Sequence, residues 1–147
     1  MSTEKDLLIL SNLRENARIS LTDISKKTSI PISTIFDKLR VHEGNLIIKH
    51  TTLVDFNKLG YNTKAWIALK TVKGSRENLK HFLSEHKKVN NIYLVNNKYD
   101  FLIEVICSNI KELRDFFEEL EEKFEITEKQ EHIIIEDIKR EKFLVKD

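Results

Sequence analysis

The sequence predicts an α+β protein with a helical first part and a mixed second part. Apolar residues recur at helical spacing through the first third of the chain, after which the period shortens to that of strands. In the second part, strand-like and helix-like segments alternate in the order βαββαβ. The change of period indicates two structural units, which we take in chain order below.

The composition limits the classes of protein to which this chain can belong. The chain has 147 residues, of which 40% are hydrophobic, and a formal net charge of +1. This suits one ordinary domain or two small ones, and it argues against non-specific coating of nucleic acid while leaving a local basic patch open. One cysteine, Cys107, allows no internal disulfide, and neither a signal peptide nor a membrane-spanning apolar run is visible. We therefore expect a cytoplasmic protein with no membrane partner.

Three helices are predicted before the first glycine. Ser20 and Asp23 have the spacing of a capping box, and Pro31 is tolerated in a first helical turn because its missing N–H would have no partner there. Gly44-Asn45 is a natural left-handed helix exit. The predicted helices are Thr3–Asn16, Leu21–Thr28 and the stretch from Pro31 to about Glu43.

The following segment, "LIIKHTTLVDF", is rich in β-branched residues and predicts a strand or ribbon. Gly60 marks a turn shortly after it. We expect a helical domain at 1–54, a linker at 55–62 and a second domain at 63–147.

The second domain is predicted to be ferredoxin-like. Its predicted strands are "KAWIALKTV", "VNNIYLV", "FLIEVIC" and "EHIIIEDI", and its predicted helices are "SRENLKHFLSEH" and "NIKELRDFFEELEEKF". Two helices on one face leave the other face of the sheet uncovered. On the first strand that face carries either Trp66 and Ala68 or Ala65, Ile67 and Leu69. Both sets are apolar, as a dimer interface requires.

Polar residues on the third helix make it a candidate DNA-reading helix. We expect Ile32, Ile35 and Leu39 to be buried and the opposite side to face solvent, where hydroxyls and an arginine can bond phosphates or bases. The candidates are Ser33, Thr34, Lys38 and Arg40 on this helix, Lys26 and Lys27 at the end of the second, and Lys49 and His50 on the ribbon. The alternative is a small helical hairpin whose charges are only solvated.

Three stretches together resemble one family. They are "DLLILSNLRENARISLTDISKKTSIPISTIFDKLR", "TTLVDFNKLGYNTKAWIALKTV" and "NNKYDFLIEV". In order and spacing they are similar to the Lrp/AsnC, or feast/famine, transcription regulators. The resemblance implies a winged-helix-like helix-turn-helix domain that binds double-stranded DNA, a homodimer or octamer, and an amino-acid effector. Three positions depart from the family pattern: Ser29 and Asn97 stand where glycine is common, and His42 where an apolar residue is usual.

The resemblance places the effector near the turn formed by Asn97, Lys98, Tyr99 and Asp100. A free amino acid offers an ammonium and a carboxylate, and both are expensive to bury unpaired. Asp100 is a candidate for the ammonium, and Lys98 or backbone N–H groups near Asn97 are candidates for the carboxylate. In the alternative interpretation, Asp100 only caps the hairpin turn.

No catalytic constellation, metal-ligand spacing or cofactor motif is recognisable, so we expect no enzyme activity, metal or cofactor. Two alternatives stay open. One is a tetrapyrrole decarboxylase of the same architecture, for which Tyr93, Tyr99 and His132 are candidate pocket residues. The other is a ligand-sensing or oligomerisation partner that does not bind DNA.

Overall fold

The computed structural model describes residues 3–145, which divide into two compact units. The first contains residues 3–53 and 138–145, and the second is Val54–Asp137. The sequence pattern predicts that everything after residue 62 belongs to the second domain. The last segment instead groups with the helical unit, where Arg14 donates to the Phe143 carbonyl and lies 3.3 Å from the Glu141 carboxylate.

The first unit contains three helices: α1 (Glu4–Glu15), α2 (Leu21–Thr28) and α3 (Ile32–His42). Side-chain caps start the first two, because Thr3 Oγ1 accepts from the Asp6 N–H and Ser20 Oγ accepts from the Asp23 N–H. Pro31 precedes α3, as predicted. The buried core of this unit consists of Ile9, Ile24, Ile30 and Ile35.

The predicted ribbon after α3 is not formed as a strand. A single bridge joins Glu43 to Ile47, and residues 48–55 have no regular secondary structure. Ile48 and Leu53 are exposed. A β-rich segment forms a stable strand only with a partner strand, and the described part of this chain offers it none.

The second unit has the predicted βαββαβ order. Its elements are β1 (Thr63–Thr71), α4 (Arg76–Glu85), β2 (Val89–Leu94), β3 (Phe101–Cys107), α5 (Ile110–Lys123) and β4 (Ile126–Ile133). The strands form one sheet in the order β2-β3-β1-β4, and each neighbouring pair is antiparallel. Short 3-10 turns occupy Phe56–Leu59 and Lys73–Ser75.

The bounds predicted for the last strand were wrong. We expected it in "EHIIIEDI", but β4 begins at Ile126 and ends at Ile133. Two of its helix-side residues are charged: Lys129 and Glu131 form ion pairs with Glu121 and Arg114 of α5. The isoleucine run was therefore a stronger sequence signal than the polar edge strand that precedes it.

The two helices cover one face of the sheet. Ala65, Ile67 and Leu69 point into the core with Leu79, Leu83 and the apolar side of α5. Because side chains alternate along a strand, Trp66 and Ala68 lie on the opposite, open face. No helix in residues 3–145 is both long and apolar enough to cross a membrane.

Candidate functional site

The turn between α2 and α3 sets the direction of α3. α2 ends because Ser29 adopts a left-handed conformation (φ 61°, ψ 20°), with its N–H bonded to the Ser25 carbonyl at 2.8 Å. Ser25 Oγ then donates to the Ile30 carbonyl at 2.6 Å, and Ile30 is buried. In this helix-turn-helix geometry the inner side of α3 packs against the core of the unit, and the outer side of α3 faces solvent.

The solvent-facing side of α3 differs from the predicted one. Ser33 and Arg40 are exposed, as expected, and Ile35 is fully buried. Thr34 and Lys38, however, are half-buried on the inner side. The exposed residues follow helical spacing from the first turn to the last: Ile32, Ser33, Phe36, Asp37, Arg40 and Val41.

Lys38 is directed towards α1. Its ammonium lies 3.1 Å from Asp6 Oδ1, and Asp6 is only 4% exposed. A lysine paired with a buried carboxylate on the protein's own core side contributes little net charge to a DNA-facing surface. The sequence pattern did not predict this pairing, because 32 residues separate the partners.

Asp6 accepts hydrogen bonds from two elements. The Thr3 N–H and hydroxyl donate to Oδ2 at 2.9 and 2.8 Å, and His42 Nε2 lies 2.9 Å from Oδ1, beside Lys38. The Thr3 backbone hydrogen bond, then His42, the Thr3 hydroxyl and Lys38, hold the pKa of Asp6 far below its usual range. Sequence reasoning missed this cluster. Its available signals were the capping spacing of Thr3 and Asp6 and the four-residue spacing of Lys38 and His42.

Two apolar side chains lie unexpectedly on the outer side of α3. Ile32, predicted to be buried, is 46% exposed, and Phe36 is 50% exposed. The Arg40 guanidinium carbon lies 5.8 Å from the centroid of the Phe36 ring, within the range of a cation–π contact. Ile32, Phe36 and Arg40 are spaced four residues apart and form one stripe along the helix, which we call the α3 stripe.

The remaining candidate DNA contacts are exposed. Lys26 and Lys27 are in the last turn of α2. Lys49 and His50 are in the irregular segment after α3, and His50 Nε2 lies 3.9 Å from the Glu43 carboxylate.

In the second unit, Asp100 is 6% exposed and both of its carboxylate oxygens have partners. Oδ2 accepts from the Thr71 N–H at 3.0 Å, and Oδ1 lies 3.0 Å from Arg76 Nε. The Asp100 N–H donates to the Leu69 carbonyl at 2.8 Å. Asp100 thus joins the β2–β3 turn to the end of β1 and the start of α4. An added ammonium group would have to compete with these partners.

The other turn residues are more accessible. Asn97 is exposed and left-handed (φ 69°). Lys98 Nζ is 5.8 Å from the Tyr99 ring centroid and 3.6 Å from the Glu128 carboxylate. Lys98 is well exposed, so its ammonium can exchange this surface pairing for another anion.

The open face of the sheet has a polar centre. Glu104 is 4% exposed and accepts hydrogen bonds from Trp66 Nε1 at 3.0 Å and from the side-chain amides of Asn90 and Asn91. Tyr93 stacks on Trp66 with 6.4 Å between ring centroids. This face is therefore less apolar than predicted. Two candidate tetrapyrrole residues, Tyr93 and His132, lie on it, and the third, Tyr99, lies in the β2–β3 turn.

Both units match known families. Residues 64–144, more than half of the chain, match the family described as the Lrp/AsnC ligand binding domain. The chain belongs to the Lrp/AsnC family of transcription regulators. Residues 2–40 match the family described as winged helix-turn-helix DNA-binding. The resemblance noted from the sequence is thereby confirmed, as are the α+β class and the helix-turn-helix.

Individual Lrp/AsnC-type relatives cover most of the chain. This chain is 29% identical over 114 residues to the HTH-type transcriptional regulator FL11 of Pyrococcus furiosus. The match covers 77% of this chain and 76% of FL11. The chain is 29% identical over 120 residues to the transcriptional regulator AzlB of Bacillus subtilis, covering 79% and 76%. The transcriptional regulator NMB0573 of Neisseria meningitidis, solved with L-methionine, superposes with a TM-score of 0.85 at 16% identity, over 95% and 94% of the two chains. At this low identity, the similarity to NMB0573 is a similarity of fold alone.

The three departures from the Lrp/AsnC pattern have local explanations in the structure. Ser29 and Asn97 both adopt the left-handed backbone that glycine would take, and asparagine is one of the residues that tolerate it best. His42 faces Asp6, so a polar residue at this position has a buried acceptor instead of an apolar neighbour.

Proposed function

We propose that this Lrp/AsnC regulator binds a palindromic DNA site as a dimer, with α3 of each protomer in the major groove. One observation carries the proposal. α3 follows a tight left-handed turn, buries Ile35 completely, and leaves Ser33 and Arg40 exposed on its outer side. A helix held in this way is the reading element of helix-turn-helix proteins.

Charge favours two copies over one. On the outer surface of the helix-turn-helix, Lys26, Lys27 and Arg40 are offset by Asp37 and Glu43, and Lys38 is neutralised by Asp6. One protomer therefore makes few phosphate contacts, and most of DNA affinity depends on those. Two helices on one duplex double the contacts and predict half-sites about one helical turn apart, or a multiple of it.

The test is selection of bound duplexes from random DNA, followed by titration of the selected site. Arg40→Ala is expected to weaken binding by about 1–3 kcal/mol if Arg40 contacts a base. Arg40→Lys keeps the positive charge but cannot form the two parallel hydrogen bonds of a guanidinium group. It should therefore restore only the part of the binding free energy that comes from the charge. Lys80→Ala is the matched control, since it removes one exposed positive charge from α4 in the other unit.

Two results would contradict the DNA proposal. One is a selection that enriches no sequence. The other is an Arg40→Ala titration indistinguishable from that of Lys80→Ala. The logarithm of affinity should also fall linearly with the logarithm of salt, with a slope of about −0.9 per phosphate neutralised. Because the dimer carries two copies of Lys26, Lys26→Ala should make this slope shallower by about two units.

For assembly, we propose that two protomers pair through the open sheet face. The support is its composition: Trp66, Leu102 and Tyr93 give this face an apolar surface, and α4 and α5 cover the other side of the sheet. A two-fold axis covers the same residues in both copies at once.

For regulation, we propose that a free amino acid or a related small molecule binds at the β2–β3 turn. Support comes from membership of a family described as a ligand binding domain and from the L-methionine complex of a protein with the same fold. Lys98 and the backbone N–H groups around Asn97 are the proposed carboxylate partners, with Tyr99 beside them. Asp100 holds the turn in place and does not contact the ligand in this proposal, since Thr71 and Arg76 already engage its carboxylate.

A further inference from the structure

We propose that the α3 stripe reads thymine methyl groups, so that each half-site contains thymines contacted by Ile32 and Phe36, next to a guanine contacted by Arg40. The inference rests on the proposed DNA binding and names the chemistry that α3 recognises. It starts from the side of α3 that faces solvent, where the sequence pattern predicts polar residues and the structure places two large apolar ones.

The stripe is unusual for a solvated helix face. Ile32 and Phe36 are about half exposed and lie one turn apart, whereas the same helix already buries Ile35 completely in the core. Water-exposed apolar area is unfavourable, and it is removed when the area is covered by another apolar surface. In the major groove that surface is the C5-methyl of thymine, which no other base of unmodified DNA carries there.

The surroundings of the stripe favour DNA over a protein partner. The stripe ends in Arg40, and the exposed Lys26 and Lys27 lie on the preceding helix of the same motif. A polyanion bearing methyl groups satisfies both the cations and the apolar side chains. Ile32 is also the first residue of α3, and in helix-turn-helix proteins the N-terminal part of the second helix contacts base edges.

Arg40 and Phe36 act together in this arrangement. With its guanidinium carbon 5.8 Å from the Phe36 ring centroid, Arg40 is held along the helix and loses less freedom when it forms two hydrogen bonds to guanine O6 and N7. The carboxylate of Asp37 is exposed on the same side and repels phosphates, which favours contact of the stripe with base edges over contact with the DNA backbone. Removing Phe36 therefore removes a methyl contact and also frees Arg40.

The experiment changes one methyl group at a time. In the duplex selected by the wild-type protein, each thymine is replaced singly by deoxyuracil, which keeps base pairing and lacks only the C5-methyl. Binding is measured by fluorescence anisotropy at one salt concentration. At one or more positions in each half-site, the dissociation constant is expected to rise about four-fold, the equivalent of one buried methyl.

The variants assign the methyl contact to a side chain. At one methyl-sensitive position, the Phe36→Ala variant should bind the thymine and deoxyuracil duplexes with equal affinity. The Ile32→Ala variant should do the same at a different sensitive position. Phe36→Leu, which keeps an apolar group, should restore part of the discrimination. Val41→Ala is the control, because Val41 is an exposed apolar residue of α3 outside the stripe, and it should retain the full four-fold ratio at the positions assigned to Ile32 and Phe36.

The outcomes separate this inference from the DNA proposal. If the wild-type protein enriches a sequence but no deoxyuracil substitution changes its affinity, DNA binding stands and thymine reading is overturned. Thymine reading is also overturned if Phe36→Ala and Ile32→Ala keep the full wild-type ratio, or if Phe36→Ala changes only the oligomeric state. If no sequence is enriched, both proposals fail.

Discussion

At the residue scale, Asp6 links α1 to α3. Its buried carboxylate accepts from Thr3 and faces both Lys38 and His42, so one side chain sets where the reading helix sits against the first helix. Because these partners lower its pKa in the folded state, the stabilisation is present above the unfolded-state pKa of about 3.9 and is lost as pH falls towards the lower folded-state value.

Asp6→Asn should therefore lower the melting temperature at pH 5 to 7, since the neutral amide cannot pair with the lysine. The difference between the wild-type protein and Asp6→Asn should shrink as the pH is lowered below about 4. Differential scanning calorimetry across this range measures it. Asp37→Asn, at an exposed position of α3, is the control and should show no such difference. If the Asp6→Asn variant and the wild type differ by a constant amount down to the lowest pH, the carboxylate is not the source of the difference.

At the element scale, the β2–β3 turn depends on Asp100 for its attachment to β1 and α4, so Asp100→Ala is expected to destabilise the fold and cannot isolate an effector site. Lys98 is the discriminating position. In a thermal-shift screen of the common amino acids, one should raise the wild-type melting temperature by about 9 °C at a hundred-fold excess over its dissociation constant. Lys98→Ala should melt like the wild type without ligand and lose the shift. Lys87→Ala, an exposed lysine before β2, should keep it. A flat screen would leave the turn as a purely structural element.

At the scale of the whole molecule, the open sheet face decides assembly. Leu102 on β3 is half-buried on that face, between Ala68 on β1 and Tyr93 on β2. Leu102→Glu would bury an unpaired charge in the proposed interface, at a cost of about 3 kcal/mol or more, which corresponds to a dissociation constant about a hundred-fold higher. Light scattering with size-exclusion chromatography should show a wild-type dimer or larger assembly and a smaller Leu102→Glu species with unchanged circular dichroism. Lys80→Glu on α4 should assemble like the wild type. A wild-type protein that is monomeric at micromolar concentration would refute the pairing.

The sequence by itself determined the order of elements and most of their bounds. α2 could be predicted from Leu21 to Thr28 because its start and end signals, Ser20 and Pro31, are local. The βαββαβ order followed from changes of apolar period, which depend only on neighbouring residues. Ser29 and Asn97 could also be assigned to turns from position alone, and both are left-handed.

Only the tertiary structure decided which side chains are free to act. Lys38 looked like a DNA contact until Asp6, far away in sequence, was found beside it, and Asp100 looked available until Thr71 and Arg76 occupied its oxygens. The bounds of β4 were mispredicted for the same kind of reason, since its hydrogen-bonded pairing with β1 places it in the sheet despite its low apolar content. Periodicity reports which side of an element is apolar. The pairing of charges and the exposure of Ile32 and Phe36 depend on contacts between different elements. The spacing of residues along the sequence gives no information about those contacts.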